Sequence, residues 1–362
     1  MLLGIAIMTA YIPGVIGFVS ITSWAVMWLA VPLFILRCKI EITVIHILGI
    51  LFLSYSALSL LWSPHGMLEL MQLLALASVF VWGSILKDLK SVVIGLSIGL
   101  AFSSVLAIFQ FLGFNEFVYS GTPRPSGLFF NSNIFSEISG MLLLLILINK
   151  LWWYIPVTLP GLMVSSRAVI LGLGVSLAMM AWTKSKILSI MTLISSWLLA
   201  YFITFSNVLN INPTAIGSNS TVSILQRLYV WQDMLAGFTI FGNGVGSFVY
   251  KFPEYNKHID GSITLVEYAH NDLLQLIFEL GIGSIPLLII VALLLMVKND
   301  YKSAFIFFII IGIFGFPLHM SVMAFMFALV AAQLAKSSLG YSDIVNYFRS
   351  NIFSRMDTAR FA

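Results

Sequence analysis

The chain has little charge. Of its 362 residues, only 9% are Asp, Glu, Lys or Arg, whereas 60% are hydrophobic, and the mean hydropathy is +1.03. Soluble domains carry about 25% charged residues, so a chain of this length cannot cover a globular surface with polar side chains. This scarcity argues against soluble, disordered, coiled-coil and nucleic-acid-binding proteins. The composition predicts a polytopic membrane protein.

Cysteine is nearly absent as well, since Cys38 is the only one in the chain. A single cysteine excludes an intramolecular disulfide framework and any metal cluster built on cysteine. No group of His, Asp and Glu residues has the spacing of a zinc site, and no acidic pair indicates a bound divalent cation. We therefore expect neither a metal nor another cofactor.

Long apolar runs, in contrast, fill most of the sequence. A membrane-spanning helix needs about 20 apolar residues, and a search at that length gives about twelve candidates. The candidate spans are 2–19, 21–37, 43–62, 67–86, 91–112, 133–149, 151–166, 168–183, 187–205, 272–297, 303–318 and 319–336.

The distribution of Lys and Arg predicts the orientation of these spans. With a cytoplasmic N-terminus, 13 of the 18 Lys and Arg residues fall on the cytoplasmic side, as the positive-inside rule requires. The topology gives a single membrane domain over 1–362, with a long outer loop at 206–271 and a cytoplasmic tail at 337–362. The loop contains Trp231, Phe238, Phe248 and Phe252, so we expect it to be ordered and packed against the membrane face.

Three arginines on the outer side stand in distinctive contexts. Arg124 lies in RPSGLFFNSN, ahead of Asn133 at the entry to the sixth span. Arg167 lies in SSRA, and Arg227 lies in RLYVWQDM, a predicted amphipathic helix that places Trp231 one turn away. The planar fork of arginine matches phosphate, so several converging arginines would bind a diphosphate. For any one of them alone, snorkelling to lipid phosphates or capping of a helix is the simpler explanation.

The long loop ends in EYAHNDLLQLIFELGIG, where His270 and Asn271 precede the tenth span. Asp272, Gln275 and Glu279 then follow on one helical face. An ionisable residue inside a membrane-spanning helix, such as Glu279, must face the bundle interior or a wet cavity. Histidine, with an ordinary pKa near 6.5, suits a general base at neutral pH, although an N-cap hydrogen bond explains this histidine equally well. The aspartate is expected to help cap the helix.

The remaining polar features are interpreted as structural. FGNGVGS has the composition of a phosphate loop but lacks its Lys-Ser/Thr pair, which favours a tight turn. Glu69 and Glu137 begin two spans as lone carboxylates, and His319 is taken as a satisfied residue of the bundle.

Together and in this order, these motifs resemble the bacterial O-antigen ligase and O-antigen polymerase superfamily of membrane glycan transferases. The resemblance covers about residues 40–335 and is sharpest at RPSGLFFNSN, SSRA, RLYVW with FGNGVGSF, and HNDLLQLIFELGIG. It implies an all-α, GT-C-like bundle with a long periplasmic loop before the tenth helix. It also implies the bacterial inner membrane, with both termini in the cytoplasm.

The resemblance further implies a metal-independent, inverting glycosyltransferase without a cofactor. Its donor would be an undecaprenyl-pyrophosphate-linked glycan, and its acceptor a sugar hydroxyl of lipid A-core. By resemblance, Arg167 and Arg227 hold the pyrophosphate, and His270 is the base or orients the acceptor. The residues expected to bind substrate are Arg124, Asn133, Asn271, Glu279 and Trp231.

Three alternatives stay open at this point. A polymerase would use the same donor with a second lipid-linked glycan as its acceptor, and the ending Gly281-Ile282-Gly283-Ser284 departs from the usual ligase motif. A transporter would place ionisable residues near the bilayer midplane, often in repeated halves, whereas here they collect at the outer mouth. A non-catalytic scaffold would leave the outer arginines without a role.

Overall fold

The computed structural model describes residues 1–9, 24, 27, 42–114, 125–129, 131–208, 220–258 and 266–337. This part of the chain is all-helical and contains no strand. The α-helices, numbered in chain order, are α1 (Leu2–Thr9), α2 (Val44–Leu58), α3 (Met67–Ile85), α4 (Lys90–Phe111), α5 (Ser132–Ile148), α6 (Leu159–Met163), α7 (Arg167–Trp182), α8 (Lys186–Val208), α9 (Ser220–Ala236), α10 (Phe248–Lys251), α11 (Asp272–Leu280), α12 (Ile285–Met296), α13 (Lys302–Phe314) and α14 (Ser321–Ala335).

Several of these helices are suited to a membrane. Among the described residues, four stretches are long and apolar enough to cross one: Val44–Leu61, Met67–Ile85, Lys90–Phe111 and Asp272–Met296. Shorter apolar helices accompany them, namely α5, α7, α13, α14 and the first part of α8. The prediction of a helical membrane protein is confirmed. The count of about twelve spans stays a prediction, since most of the first two candidates and the tail after Ser337 lie outside the described residues.

One predicted span takes a different form. Residues 151–166 do not make a single helix but a 3-10 segment, Trp152–Thr158, followed by the five-residue α6. Together these cover only about 20 Å, less than the hydrocarbon thickness of about 30 Å. The prediction was wrong here because Pro156 and Pro160 interrupt the α-helical hydrogen bonds of an otherwise apolar run.

Helix α14 lies in the centre of the bundle. All of its residues except Phe327 are buried, which is the environment expected for a helix that is apolar on every side. Its one polar side chain beyond the first turn, Gln333, donates from Nε2 to the carbonyl oxygen of Gly83 in α3 at 3.0 Å. Phe305 and Phe307 of α13 are fully buried in the same core. Helices α13 and α14 are therefore both anchored in the core, and they hold the turn at 315–320 between them.

The predicted loop at 206–271 contains its own small core. Helices α9 and α10 pack on α11 around the buried side chains of Val230, Met234, Phe248, Phe252, Ala269 and Phe278. Trp231 packs against this core as well, whereas Phe238 is 48% exposed. The predicted order is therefore present at Trp231, Phe248 and Phe252 but does not involve Phe238.

The glycine-rich segment FGNGVGS is a turn that covers the end of α11. The N–H groups of Asn243 and Gly244 donate to the carbonyl oxygens of Phe278 and Glu279 at 3.1 and 2.6 Å, which satisfies acceptors that a helix end leaves open. The turn crosses the end of α11 at Gly242 and Gly281, whose φ angles are 74° and 51°. A Cβ at either residue would collide with the backbone of the opposite segment. Both positions therefore require glycine.

Substitution at this crossing is expected to destabilise the protein. Gly281→Ala places a Cβ in the left-handed region and against the Ile240 carbonyl, which should cost about 1–3 kcal/mol of unfolding free energy. The matched control is Gly49→Ala in α2, where a Cβ meets no atom within 4 Å. Thermal unfolding in detergent should show a lower Tm for the first variant only. Equal Tm values would contradict the close crossing.

Candidate functional site

Arg227 lies where several charged groups meet. It is half-buried on α9, and its Nη1 donates to the carbonyl oxygen of Phe314, the last residue of α13, at 2.8 Å. Burial lowers the pKa of this guanidinium, the positive charge of Arg167 lowers it further, and the carboxylate of Glu137 raises it. The two arginines, 60 residues apart in sequence, therefore lie within electrostatic range of one another in the fold.

Arg167 begins α7 and stands beside a cavity. The preceding Ser166 is the N-cap, whose hydroxyl accepts the N–H of Val169. The cavity has a volume of about 220 Å³ and is lined by Arg167, Leu171, Trp197, Ala200 and Tyr201. Trp197 and Tyr201 stack at 6.0 Å on α8 and are 61% and 59% exposed. One guanidinium of the pair thus adjoins an apolar, aromatic cavity that is open on the outside of the bundle.

His270 adopts an unusual backbone conformation within electrostatic range of Arg227. Its φ of 52° lies in the left-handed region, which few residues other than glycine occupy. The half-buried ring meets the ring of Phe316 edge-on, with centroids 5.1 Å apart. Burial, together with the positive charge of Arg227, lowers the pKa of His270 to about 4. The imidazole is therefore neutral at pH 7, and it is a weaker base than the ordinary histidine assumed from the sequence.

Asn271 has the capping role that was expected of Asp272. Asn271 is the N-cap of α11, because its Oδ1 accepts the N–H of Leu274 at 3.0 Å. Asp272 instead reaches the turn between α13 and α14, where its Oδ2 accepts the N–H of Leu318 at 2.8 Å. Its Oδ1 lies 3.1 Å from Nδ1 of His319. The capping contribution expected of the aspartate comes from the asparagine, whose side-chain oxygen is engaged within the protein.

Glu279 also turns inward, to the glycine-rich turn. Its carboxylate is 2% exposed and accepts the N–H groups of Gly246 and Phe248 at 2.9 and 3.3 Å. Gln275 donates to it from Nε2 at 3.3 Å. The predicted polar face of α11 exists and is buried, and at Glu279 it anchors the turn instead of lining an open cavity.

The substrate-binding predictions for the remaining residues have different outcomes. Trp231 donates from Nε1 to the carbonyl oxygen of Ala269 at 2.8 Å. Asn133 is half-buried in the first turn of α5, one turn before Glu137, and its N–H donates to the N-cap Asn131 at 2.8 Å. Arg124 lies outside the described residues.

Sequence reasoning missed a buried charge cluster beside the site. Nε2 of His319 lies 3.1 Å from Oε1 of Glu69 in α3, while Nδ1 faces Asp272. Each ring nitrogen thus faces a carboxylate, which is the arrangement that satisfies both donors of an imidazolium. Glu137 lies near the same turn, with Oε1 3.6 Å from the place of a Cβ at Gly315. The only signal in the sequence was that these residues lie at ends of spans that were all predicted on the outer side of the membrane.

The comparisons with known proteins leave the family open. No protein-family model matches this chain, and a search of curated proteins finds no significant match. Within the described ranges, no group of three or more His, Cys, Asp and Glu residues is arranged to hold a metal ion.

Breaking the buried cluster should destabilise the fold strongly. Asp272→Asn leaves His319 without one of its two carboxylates, and removing one partner of a buried ion pair costs about 3–5 kcal/mol. The matched control is Glu254→Gln, which breaks an exposed pair with Lys251 and should cost less than about 1 kcal/mol. Chemical or thermal unfolding in detergent measures both. A D272N variant as stable as E254Q would be evidence against the buried pair.

The charge of Arg227 should control the protonation of His270. Arg227→Gln removes a positive charge that lowers the histidine pKa, so that pKa should rise from about 4, whereas Arg227→Lys should keep it low. Burial continues to act in both variants, which keeps the value in R227Q below 6.5. NMR titration of isotope-labelled histidine, assigned with H270A, measures the shift. An identical pKa in wild type and R227Q would show that the two groups are not neighbours.

Proposed function

We propose that this chain is a glycosyltransferase that moves a glycan from undecaprenyl pyrophosphate to a sugar hydroxyl, without a metal and with inversion. The observation that carries the proposal is the neighbouring pair of Arg167 and Arg227. The two like charges repel one another, and Glu137 offsets part of that repulsion at Arg227, so a bound anion would offset more of it. Because guanidinium groups bind phosphate through a planar fork, a diphosphate is the anion that suits two of them.

The cavity beside Arg167 supports a donor that carries a lipid. Leu171, Trp197 and Tyr201 give it an apolar and aromatic lining. A polyprenyl diphosphate has an anionic head on a long hydrocarbon chain, so its head would lie between the arginines and its first isoprene units against these rings. A water-soluble nucleotide sugar offers no such chain.

The chemistry needs little more than charge stabilisation and one proton acceptor. The acceptor hydroxyl oxygen forms a bond to the anomeric carbon, the bond from that carbon to the phosphate oxygen breaks, and its electron pair leaves with the diphosphate. Arg167 and Arg227 stabilise the charge that develops on this leaving group. The hydroxyl proton passes to the neutral imidazole of His270. A bound diphosphate offsets the charge of Arg227, which makes this imidazole a better base when the donor is present.

The proposed orientation follows from the basic residues. It requires 151–166 to cross the membrane in its interrupted form, since 13 of 18 Lys and Arg then lie on the cytoplasmic side and both termini face the cytoplasm of a bacterial inner membrane. The arginine pair and His270 then open to the periplasm, where lipid-linked glycans are used. We propose lipid A-core as the acceptor. A polymerase would use the same donor residues with a second lipid-linked glycan as its acceptor.

Loss of either the Arg167 guanidinium or the His270 imidazole should slow transfer strongly. We expect Arg167→Ala and His270→Ala each to lower the rate by about 100-fold or more, because each removes a group that stabilises the transition state. The assay uses purified protein in nanodiscs with an undecaprenyl-pyrophosphate-linked glycan and lipid A-core, and follows released undecaprenyl pyrophosphate.

The control for this assay is Lys251→Ala, which removes an exposed charge paired with Glu254. It should leave the rate within about 2-fold of wild type. Full activity in both R167A and H270A would refute the assignment. Lipopolysaccharide from a deletion strain identifies the acceptor: loss of all O-antigen bands indicates a ligase, and a single capped repeat unit indicates a polymerase.

A further inference from the structure

The residue before His270 is held from two sides. Trp231 of α9 donates its indole N–H to the carbonyl oxygen of Ala269 at 2.8 Å. The N–H of Ala269 donates to Oε1 of Gln275 in α11 at 3.1 Å. Ala269 itself is fully buried, so water does not compete for either hydrogen bond.

These bonds bear directly on the conformation of His270. The carbonyl group that Trp231 contacts belongs to the peptide bond leading into His270, so the indole fixes the plane from which the histidine φ is measured. On the other side, Asn271 is fixed as the N-cap of α11. Between two fixed peptides, His270 is kept at φ 52°, a conformation that persists only where the surroundings impose it.

The same bonds link His270 to Arg227 in a closed ring of contacts. Trp231 and Arg227 lie one turn apart on α9, and Arg227 donates to the Phe314 carbonyl at the end of α13. Two residues later, Phe316 meets the His270 ring at 5.1 Å. The ring closes through Ala269 to Trp231, so the indole hydrogen bond sets where the imidazole lies relative to the guanidinium.

We infer that Trp231 is a positioning residue, which through its indole N–H and the Ala269 carbonyl holds the His270 imidazole beside Arg227. The inference rests on the proposed function for its catalytic consequence. It replaces the expectation that Trp231 binds substrate, because the polar atom of the side chain is engaged within the protein. The substitution Trp231→Phe distinguishes the two roles. A phenylalanine ring can still stack on a ligand, but it has no N–H to donate to the Ala269 carbonyl.

The test is Trp231→Phe in the full-length protein in nanodiscs, with Trp153→Phe as the matched control because Trp153 is 94% exposed. A misplaced catalytic group should lower kcat by about 10-fold to 100-fold, with the donor KM within about 2-fold of wild type. In the H270A background the same change should have almost no further effect, since it acts through the missing imidazole. Unchanged kcat in W231F, or an equal loss in the H270A background, would overturn the inference.

A readout that does not need activity separates this inference from the proposed function. Histidine NMR of W231F should show a shifted His270 ring resonance and a changed pKa, while W153F should leave both as in wild type. An unchanged His270 signal in W231F overturns the positioning role even if transferase activity is established. A shifted signal in a protein without transferase activity supports the positioning role and refutes the function. Where W231F does not fold, Gln275→Met tests the other bond that holds Ala269, although it also removes the donation to Glu279, and an unchanged His270 signal again overturns the inference.

Discussion

The pairing of Asp272 with His319 is the interaction on which this part of the molecule depends. A carboxylate on an apolar helix is costly unless it is paired, and here the partners are the imidazole and the N–H of Leu318, both in the turn between α13 and α14. Because His319 also faces Glu69, one buried cluster joins α3, α11 and this turn. His270 lies two residues before α11. Arg227 donates to Phe314 just before the turn, and Phe316 of the turn meets the His270 ring, so the candidate site is built on this junction.

A single charge links the two halves of the proposed chemistry. In the proposed mechanism Arg227 binds the diphosphate through its guanidinium, and the same charge lowers the pKa of His270. Without an anion, the histidine is neutral and weakly basic. With a diphosphate between the arginines, that effect is offset, and the imidazole gains basicity where a hydroxyl proton must be taken. Such coupling would tie base strength to the presence of the donor.

Local signals in the sequence predicted much of the fold. Composition alone gave a helical membrane protein, and the pattern of RLYVWQDM gave α9 with Arg227 and Trp231 one turn apart. Prediction was wrong where hydropathy did not register a change of backbone geometry. Pro156 and Pro160 interrupt the apolar run at 151–166. The predicted span at 272–297 is present as Asp272–Met296, although Gly281 begins a 3-10 turn within it. Hydropathy counts apolar side chains, and these interruptions belong to the main chain.

For the candidate site, the sequence by itself determined which residues carry charge and hydrogen-bonding capacity, namely Arg167, Arg227, His270 and the polar face of α11. Only the tertiary structure decided what those groups do. Asn271, Glu279 and Trp231 were expected to meet substrate, yet each uses its polar atoms to satisfy backbone groups of the protein. The cluster of His319 with Glu69 and Asp272 joins residues far apart in the chain. A buried polar group must find a partner, and which partner lies within reach is fixed by how distant helices pack.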